Sequence, residues 1–178
     1  VADDLNELDL KQPVPEGLNA AEEKSWKYQR YIKDYLRCVA SIDDNVGRLL
    51  DYLEEDGIAE DTIVVYTSVQ GFFLGDHDWY DKRFMYEESL RMPFIVHYPK
   101  AVKAGSTNDW LINNTDFAPT ILALAGVTAP DQMQGSNFAS ALRGEPRPAD
   151  WRTATYYRYW MHMAHHYNPA HFGIRTNR

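Results

Sequence analysis

The sequence predicts an α/β fold, and three observations carry that prediction. A long helical stripe runs through the first third of the chain. Two short β-branched runs, Thr62-Ile-Val-Val-Tyr66 and Phe94-Ile-Val-His-Tyr98, flank a glycine-punctuated polar loop. A capped apolar helix then follows Asp116. Helices alternating with short buried strands are the pattern of an α/β domain, and such domains present chemistry on the loops at the carboxyl ends of strands.

In chain order, residues 1–20 are polar with Pro13, Pro15 and Gly17, and predict an extended lead-in. From Ala20 to Asp56, the apolar positions Tyr28, Ile32, Tyr35, Val39, Ile42, Val46, Leu49 and Leu53 step by four and three alternately. That period is one face of an amphipathic helix, with a break conceivable at Asp43-Asp44-Asn45 and a stop at Gly57. The same spacing suits a coiled coil, but a helix feeding directly into a strand favours packing on a sheet. Cys38 lies on this helix and is expected to be a buried, inert thiol.

Thr62–Ser68 and Phe94–Tyr98 are the predicted strands, the second closed by Pro99, with a short helix from Phe84 to Leu90 between them. Asp116 followed by Phe-Ala-Pro119-Thr-Ile-Leu-Ala-Leu-Ala-Gly126 reads as a helix with an Asp cap, Pro in its first turn and Gly past its end. Residues 127–150 carry three prolines and two glycines and predict a loop-rich connection. Thr153–Tyr159 and Phe172–Thr176 then predict a small antiparallel unit separated by a His-rich segment.

The length of 178 residues suits one domain, and the 44% hydrophobic content suits a folded one. A net charge of −8 argues against broad binding to nucleic acid or anionic membranes. The charge is uneven: residues 1–23 hold seven of the 26 acidic side chains, whereas residues 151–178 hold four Arg, four of the six His and no acid. An anion could be taken by that cationic end. A single cysteine precludes an intrachain disulfide, and no apolar run is long enough to span a membrane. The sequence begins with Val, so its amino end says nothing of localisation.

The chemistry concentrates after the first strand, where Gln70, Asp76, His77, Asp78, Asp81, Lys82 and Arg83 fall within 14 residues. Carboxylates and an amide carbonyl suit a hard cation, while Lys and His suit an anion that gains charge in a transition state. A bland polar loop accounts for any one of these residues, but less readily for the Gly71-Phe-Phe-Leu-Gly75 spacing that surrounds them.

Several blocks together resemble the formylglycine-dependent sulfatases of the alkaline-phosphatase-like superfamily, in particular bacterial carbohydrate sulfatases. They are Tyr35 to Leu50 with Asp43 and Gly47, the strand and loop Thr62 to Lys82, Glu87-Glu-Ser-Leu-Arg-Met-Pro93, Asp116-Phe-Ala-Pro-Thr120 with Ala125-Gly126, and Pro169-Ala-His171-Phe-Gly-Ile-Arg-Thr176. The resemblance covers about nine tenths of the chain. It implies a mixed sheet flanked by helices, present here in part, followed by the start of a smaller C-terminal α+β subdomain. On that basis residues 1–127 are the carboxyl-terminal part of a catalytic domain, 128–150 a connection and 151–178 the start of the subdomain.

The resemblance implies a calcium-dependent hydrolase of sulfate esters, acting on a sulfated carbohydrate or an aryl sulfate, in a periplasmic or extracellular setting. Its nucleophile, a formylglycine made within a Cys/Ser-x-Pro/Ala-x-Arg motif, has no counterpart here, because Cys38-Val-Ala-Ser-Ile42 places Ile where Arg belongs. The family's Ser-Asp-Gln-Gly type of turn reads Ser68-Val69-Gln70-Gly71, so Val69 occupies the position of an Asp metal ligand and Gln70 remains as a carbonyl ligand. The expectation is therefore a sulfatase fragment inactive alone. The alternatives are a non-catalytic sulfated-glycan binder and a phosphonate or phosphate ester hydrolase of the same superfamily.

By the same resemblance Lys82 is the lysine that contacts sulfate oxygens and His77 a residue of the same catalytic loop. His171 is similar to a substrate-facing position of glycan sulfatases. Tyr156-Tyr-Arg158-Tyr-Trp160-Met-His162-Met-Ala-His165 has the composition of a sugar-sulfate subsite, flat rings for sugar faces and Arg and His for anions. Arg158, Trp160, His165 and His171 are thus the expected substrate-binding residues, with a transition-metal site at His162 and His165 as the competing reading.

Overall fold

The computed structural model describes residues 5–163 and 167–177. Among these, the elements in order are α1 (Glu7–Leu10), α2 (Ala20–Glu55), β1 (Val64–Thr67), α3 (Glu87–Leu90), β2 (Phe94–His97), α4 (Phe117–Leu124), α5 (Ala139–Leu142), β3 (Ala154–Tyr159) and β4 (His171–Thr176). β1 pairs with β2, and β3 with β4. The chain forms two compact units, one running to Ala59 and resuming at Thr67–Pro93, the other made of Glu60–Tyr66 and everything from Phe94 onward.

The first unit is organised by α2. Its start is a capping box: Asn19 Oδ1 accepts the amides of Ala21 and Glu22, and the Glu22 carboxylate accepts the Asn19 amide. The helix runs unbroken for 36 residues through Asp43-Asp44-Asn45 and stops where Gly57 takes φ 70°. None of its described side chains is buried. The apolar stripe is half-covered at Tyr28, Ile32, Val46 and Leu53, whereas Ile42 is 49% and Leu49 65% exposed. Within this unit its partners are a helix and a loop rather than the expected sheet. Arg30 Nε donates to the Leu10 carbonyl of α1 at 3.1 Å, and the Tyr31 ring meets Tyr80 edge-on at 4.8 Å. Cys38, expected to be buried, is exposed, since it falls in the stretch of α2 from Tyr35 to Asn45 that nothing described covers.

The amino-terminal lead-in is not wholly extended. It folds into the single turn α1, and Leu10 is 1% exposed, a second apolar anchor beside the fully buried Phe73. Phe73 is surrounded edge-on by Trp79 and Tyr86, each at 5.8 Å, and by His77 at 6.0 Å. Edge-to-face contacts of this kind add about 0.5–1.5 kcal/mol per pair beyond the area buried.

The second unit has its core at Phe138, 2% exposed, which meets Phe94 of β2 at 5.5 Å, while Phe94 meets Phe117 of α4 at 4.9 Å. The predicted helix after Asp116 is present, and Gly126 ends it at φ 73°. The cap is a correction: Asp116 makes no side-chain bond to α4, being itself in a helical conformation at the end of a 3-10 turn, Asn114–Asp116. The loop-rich stretch 127–150 contains the turn α5, and the helix expected over Phe84–Leu90 is reduced to the single turn α3. The strands β3 and β4 form the predicted antiparallel ribbon, with Ala154 opposite Thr176 and Tyr159 opposite His171.

Candidate active site

The loop that leaves β1 is locked to α3 by polar bonds. The Gln70 side-chain amide donates to the Ser89 carbonyl at 2.7 Å, the Ser89 hydroxyl at 3.0 Å and the Lys82 carbonyl at 3.2 Å. The Ser89 hydroxyl donates in turn to the Lys82 carbonyl, and the Gly71 amide donates to the Ser89 carbonyl at 3.1 Å. Ser89 is fully buried. Gly71 is required here by close approach: a Cβ at that position would lie 1.8 Å from the Glu88 carbonyl oxygen. The main chain on either side of Lys82 is thereby fixed, and the Lys82 side chain itself stays exposed.

His77 sits at φ 58° and Asp78 at φ 61°, two successive left-handed residues without glycine's freedom. Such backbone costs of order 1 kcal/mol per residue and persists where surrounding contacts impose it. The contacts are visible: His77 stacks on Tyr86 at 4.3 Å, and its Nε2 is 3.1 Å from Glu88 Oε2. The Glu88 carboxyl is held below the usual range, first by its own backbone amide and then by His77. Glu88 went unnoticed in the sequence because a Glu at a helix start has an ordinary solvated reading; the signal available was its place in the Glu87–Pro93 block of the resemblance.

The carboxylates of the loop do not gather. Asp81 is 6% exposed and ion-paired to Arg83, while Asp76 and Asp78 are exposed. Asp76 and Asp78 instead line a cavity of about 430 Å³ with Lys24, Tyr28 and Tyr80. Among the described residues no three His, Cys, Asp or Glu side chains come together as a metal site. Val69 is 93% exposed and offers no ligand, and Gln70 has its nitrogen tied to carbonyls, leaving one neutral oxygen. These residues do not by themselves fit a divalent cation, which takes six or more oxygen donors with several charged among them.

In the second unit, the ribbon divides the expected substrate residues. Side chains opposite one another in an antiparallel pair share a face, and successive ones alternate. Tyr157, Tyr159 and His171 therefore line one face, with the His171 ring 5.7 Å from Tyr157 and 5.5 Å from Tyr159. Arg158 lies opposite Phe172 on the other face, together with Tyr156 and Ile174, and its guanidinium covers the Trp160 ring at 3.3 Å. One subsite built from Arg158, Trp160 and His171 is thus not formed on this ribbon. His165 lies outside the described residues. His162, in a bend rather than a helix, accepts the Ala170 amide on Nδ1 at 3.2 Å.

The ribbon is anchored at its entrance by Asp116, which is fully buried. Its carboxylate accepts the amides of Asn113 and Ser136, each at 2.7 Å, and pairs with both terminal guanidinium nitrogens of Arg152, two residues before β3. Burial opposes the charge on Asp116, but Arg152 and the two amides outweigh it and hold the carboxyl below its ordinary range. Trp151 adds an indole bond to the Leu111 carbonyl at 3.1 Å. Asp116 is structural, as expected, though by joining three segments rather than by capping α4.

Comparison with known proteins is consistent across sequence and structure. Residues 75–178 match the family described as N-sulphoglucosamine sulphohydrolase, C-terminal. The chain is 56% identical over 153 residues to an N-acetylglucosamine-6-O-sulfatase of Bacteroides thetaiotaomicron, covering 85% of this chain and 27% of that protein. It is 33% identical over 121 residues to an arylsulfatase of Clostridium perfringens, covering 66% and 25%. A solved structure of a protein in complex with its substrate D-glucosamine-2-N,6-O-disulfate superposes with a TM-score of 0.85 at 54% identity, over 90% of this chain and 33% of that one. A phosphonate monoester hydrolase of Silicibacter pomeroyi superposes at 0.70 with 28% identity, over 86% and 29%. The chain spans about a quarter to a third of the length of these relatives. The alkaline-phosphatase-like α/β fold is accordingly the right frame for its strands and helices. The chain belongs to the sulfatase family, in the region described by the N-sulphoglucosamine sulphohydrolase carboxyl-terminal family.

Proposed function

We propose that this chain is part of a hydrolase that removes sulfate from an amino-sugar, with Lys82 and His77 as its contribution to the reacting end. The observation that carries the reading is the loop after β1, whose main chain is pinned at Lys82 and whose His77 is held by Glu88. A relative 56% identical is named an N-acetylglucosamine-6-O-sulfatase, which supports an amino-sugar sulfate over other esters. Lys82 presents an ammonium group to sulfate oxygens, where a fixed cation stabilises charge that grows in the transition state. His77, oriented by Glu88, supplies a proton to the departing sugar oxygen. The second unit carries candidate sugar or sulfate contacts of its own, His171 on one face of the ribbon and Arg158 with Trp160 on the other.

The family implies calcium and a formylglycine. The residues described here do not fit a calcium ion, and no step is routed through either group. By the same family reading, residues 1–127 belong to the catalytic domain, 128–150 to a connection and 151–178 to the beginning of the smaller subdomain, with a periplasmic or extracellular location. The antiparallel ribbon supports the last of the three segments.

The test is sulfate release from N-acetylglucosamine 6-sulfate by the protein as naturally encoded, in parallel with an aryl phosphonate. Preference for the sulfate ester, with a hundredfold or greater loss of kcat/KM in Lys82→Ala, is expected. Preference for the phosphonate would replace this reading with the phosphonate esterase one. A second reading, a glycan-binding protein without turnover, is favoured by the exposed Val69. It predicts retained binding of sulfated glucosamine, no hydrolysis, and indifference to chelators.

A further inference from the structure

We infer that Gln70 acts as a positioning residue for Lys82, through hydrogen bonds donated by its side-chain amide, and not as a metal ligand. This rests on the sulfatase reading of Lys82. Three acceptors converge on one nitrogen: the Ser89 carbonyl, the Ser89 hydroxyl and the Lys82 carbonyl. Two of the three are carbonyl oxygens, which can only accept, so the side chain is oriented with its NH2 inward. The Ser89 hydroxyl closes the arrangement by donating to the same Lys82 carbonyl.

The geometry has a chemical consequence. A lysine is a point charge on a flexible stem, and its electrostatic value to a reaction depends on where the stem begins. Gln70 and Ser89 fix that origin across sequence separations of 12 and 7 residues. Gly71 contributes by letting the loop approach Glu88 closely enough for the Gln70 amide to reach Ser89. Nothing about Val69 is needed for this role. Val69 offers no donor beside Gln70, so a single neutral amide oxygen is all that this turn could give a divalent cation, whereas the Gln70 nitrogen already has defined acceptors around Lys82.

The substitution Gln70→Glu separates the two roles, because a carboxylate is a better ligand for a divalent cation but cannot donate to carbonyls. Gln70→Glu, Gln70→Leu, Ser89→Ala and the Gln70→Leu/Ser89→Ala pair would be made in the protein as naturally encoded. Turnover of D-glucosamine-2-N,6-O-disulfate, calcium activation and thermal unfolding would be measured. The expected result is a tenfold or greater fall in kcat for both Gln70→Glu and Ser89→Ala, with KM changed less than threefold and the half-activating calcium concentration unmoved. In unfolding, the double variant should lose less than the sum of the singles. Full activity with tighter calcium binding in Gln70→Glu would overturn the inference, as would additive unfolding losses. Coupling in unfolding without turnover in the wild type would leave the bonded unit standing and remove the sulfatase reading instead. If Gln70→Glu does not fold, the kcat and KM of Ser89→Ala decide, since Ser89 is fully buried and cannot reach a cation bound from solvent.

Discussion

The His77 imidazole and the Glu88 carboxylate, eleven residues apart in sequence, meet Nε2 to Oε2 at 3.1 Å across the mouth of one loop. The contact ties the left-handed residues His77 and Asp78 to the start of α3, so the conformation of the loop and the ionisation of Glu88 are linked. Because the Glu88 carboxyl is held below its ordinary range, its contribution is present above the usual glutamate pKa of about 4.3 and is lost as pH falls through the lowered value. Carboxyl NMR should find Glu88 titrating below the ordinary glutamate range. His77→Gln should move it upward but only part of the way, since the Glu88 backbone amide remains. Full return to the ordinary value would show that the backbone bond contributes nothing.

Asp116 and Arg152 form the buried junction of the second unit, and Asp116→Asn should destabilise it by about 3 kcal/mol. That is the lower end for breaking a buried pair, because the Arg152 side chain keeps 21% exposure and can recover water. The sign with pH follows from the lowered carboxyl: the stabilisation is complete above about pH 4 and declines as acid protonates Asp116 in the fold. Urea unfolding of wild type and Asp116→Asn at pH 7 and pH 3 should show a difference that shrinks at the lower pH. A difference constant with pH would mean that the amides, and not the charge, carry the effect.

Gly71→Ala and Gly135→Ala should each cost about 1–3 kcal/mol, the range for forcing extra volume into filled space. A Cβ at Gly135 would fall 1.9 Å from the Thr115 carbonyl oxygen, and one at Gly71 1.8 Å from that of Glu88. Gly47→Ala, with no atom within 4 Å of the added carbon and a helical site, should be neutral or stabilising. Thermal melts of the three variants provide the comparison, and equal behaviour at Gly47 and Gly71 would contradict the close approach.

Burial raises the Tyr31 phenol to about 12, with Tyr80 and Tyr35 adding to the effect. A raised acid favours the neutral form in the fold, so this contribution is full below pH 10 and disappears as pH rises through about 12. Ultraviolet titration should show one tyrosine ionising late, and Tyr31→Phe should remove that step while leaving the others.

The parts of the fold legible in the sequence were those set by period and punctuation. Alternating steps of three and four gave α2 to within one residue at its carboxyl end, and Gly57 and Gly126 marked the stops. Alternation gave the β3–β4 pairing. Burial was less legible. Cys38, Val39 and Ile42 sit on a helix whose pattern says one face is covered, yet the described residues leave that stretch exposed. Asp116 was misassigned locally because a carboxylate before a helix has a near partner in the sequence, while its actual partners, Ser136 and Arg152, are 20 and 36 residues away. Glu88 and Ser89 were missed for the same reason. Their function arises from a loop closing on a single helical turn, and no periodicity records that.

The alternation of the β3–β4 ribbon has a consequence for how such a surface can change. Even-numbered positions of β3 belong with Arg158 and odd-numbered ones with Tyr159, opposite His171. Point substitutions can remodel one side while the other keeps its shape, so two surfaces can change independently along a segment of six residues. Insertion or deletion of a single residue within the strand has no such freedom. It exchanges the two sides together, so a change of length disturbs this ribbon far more than a change of composition.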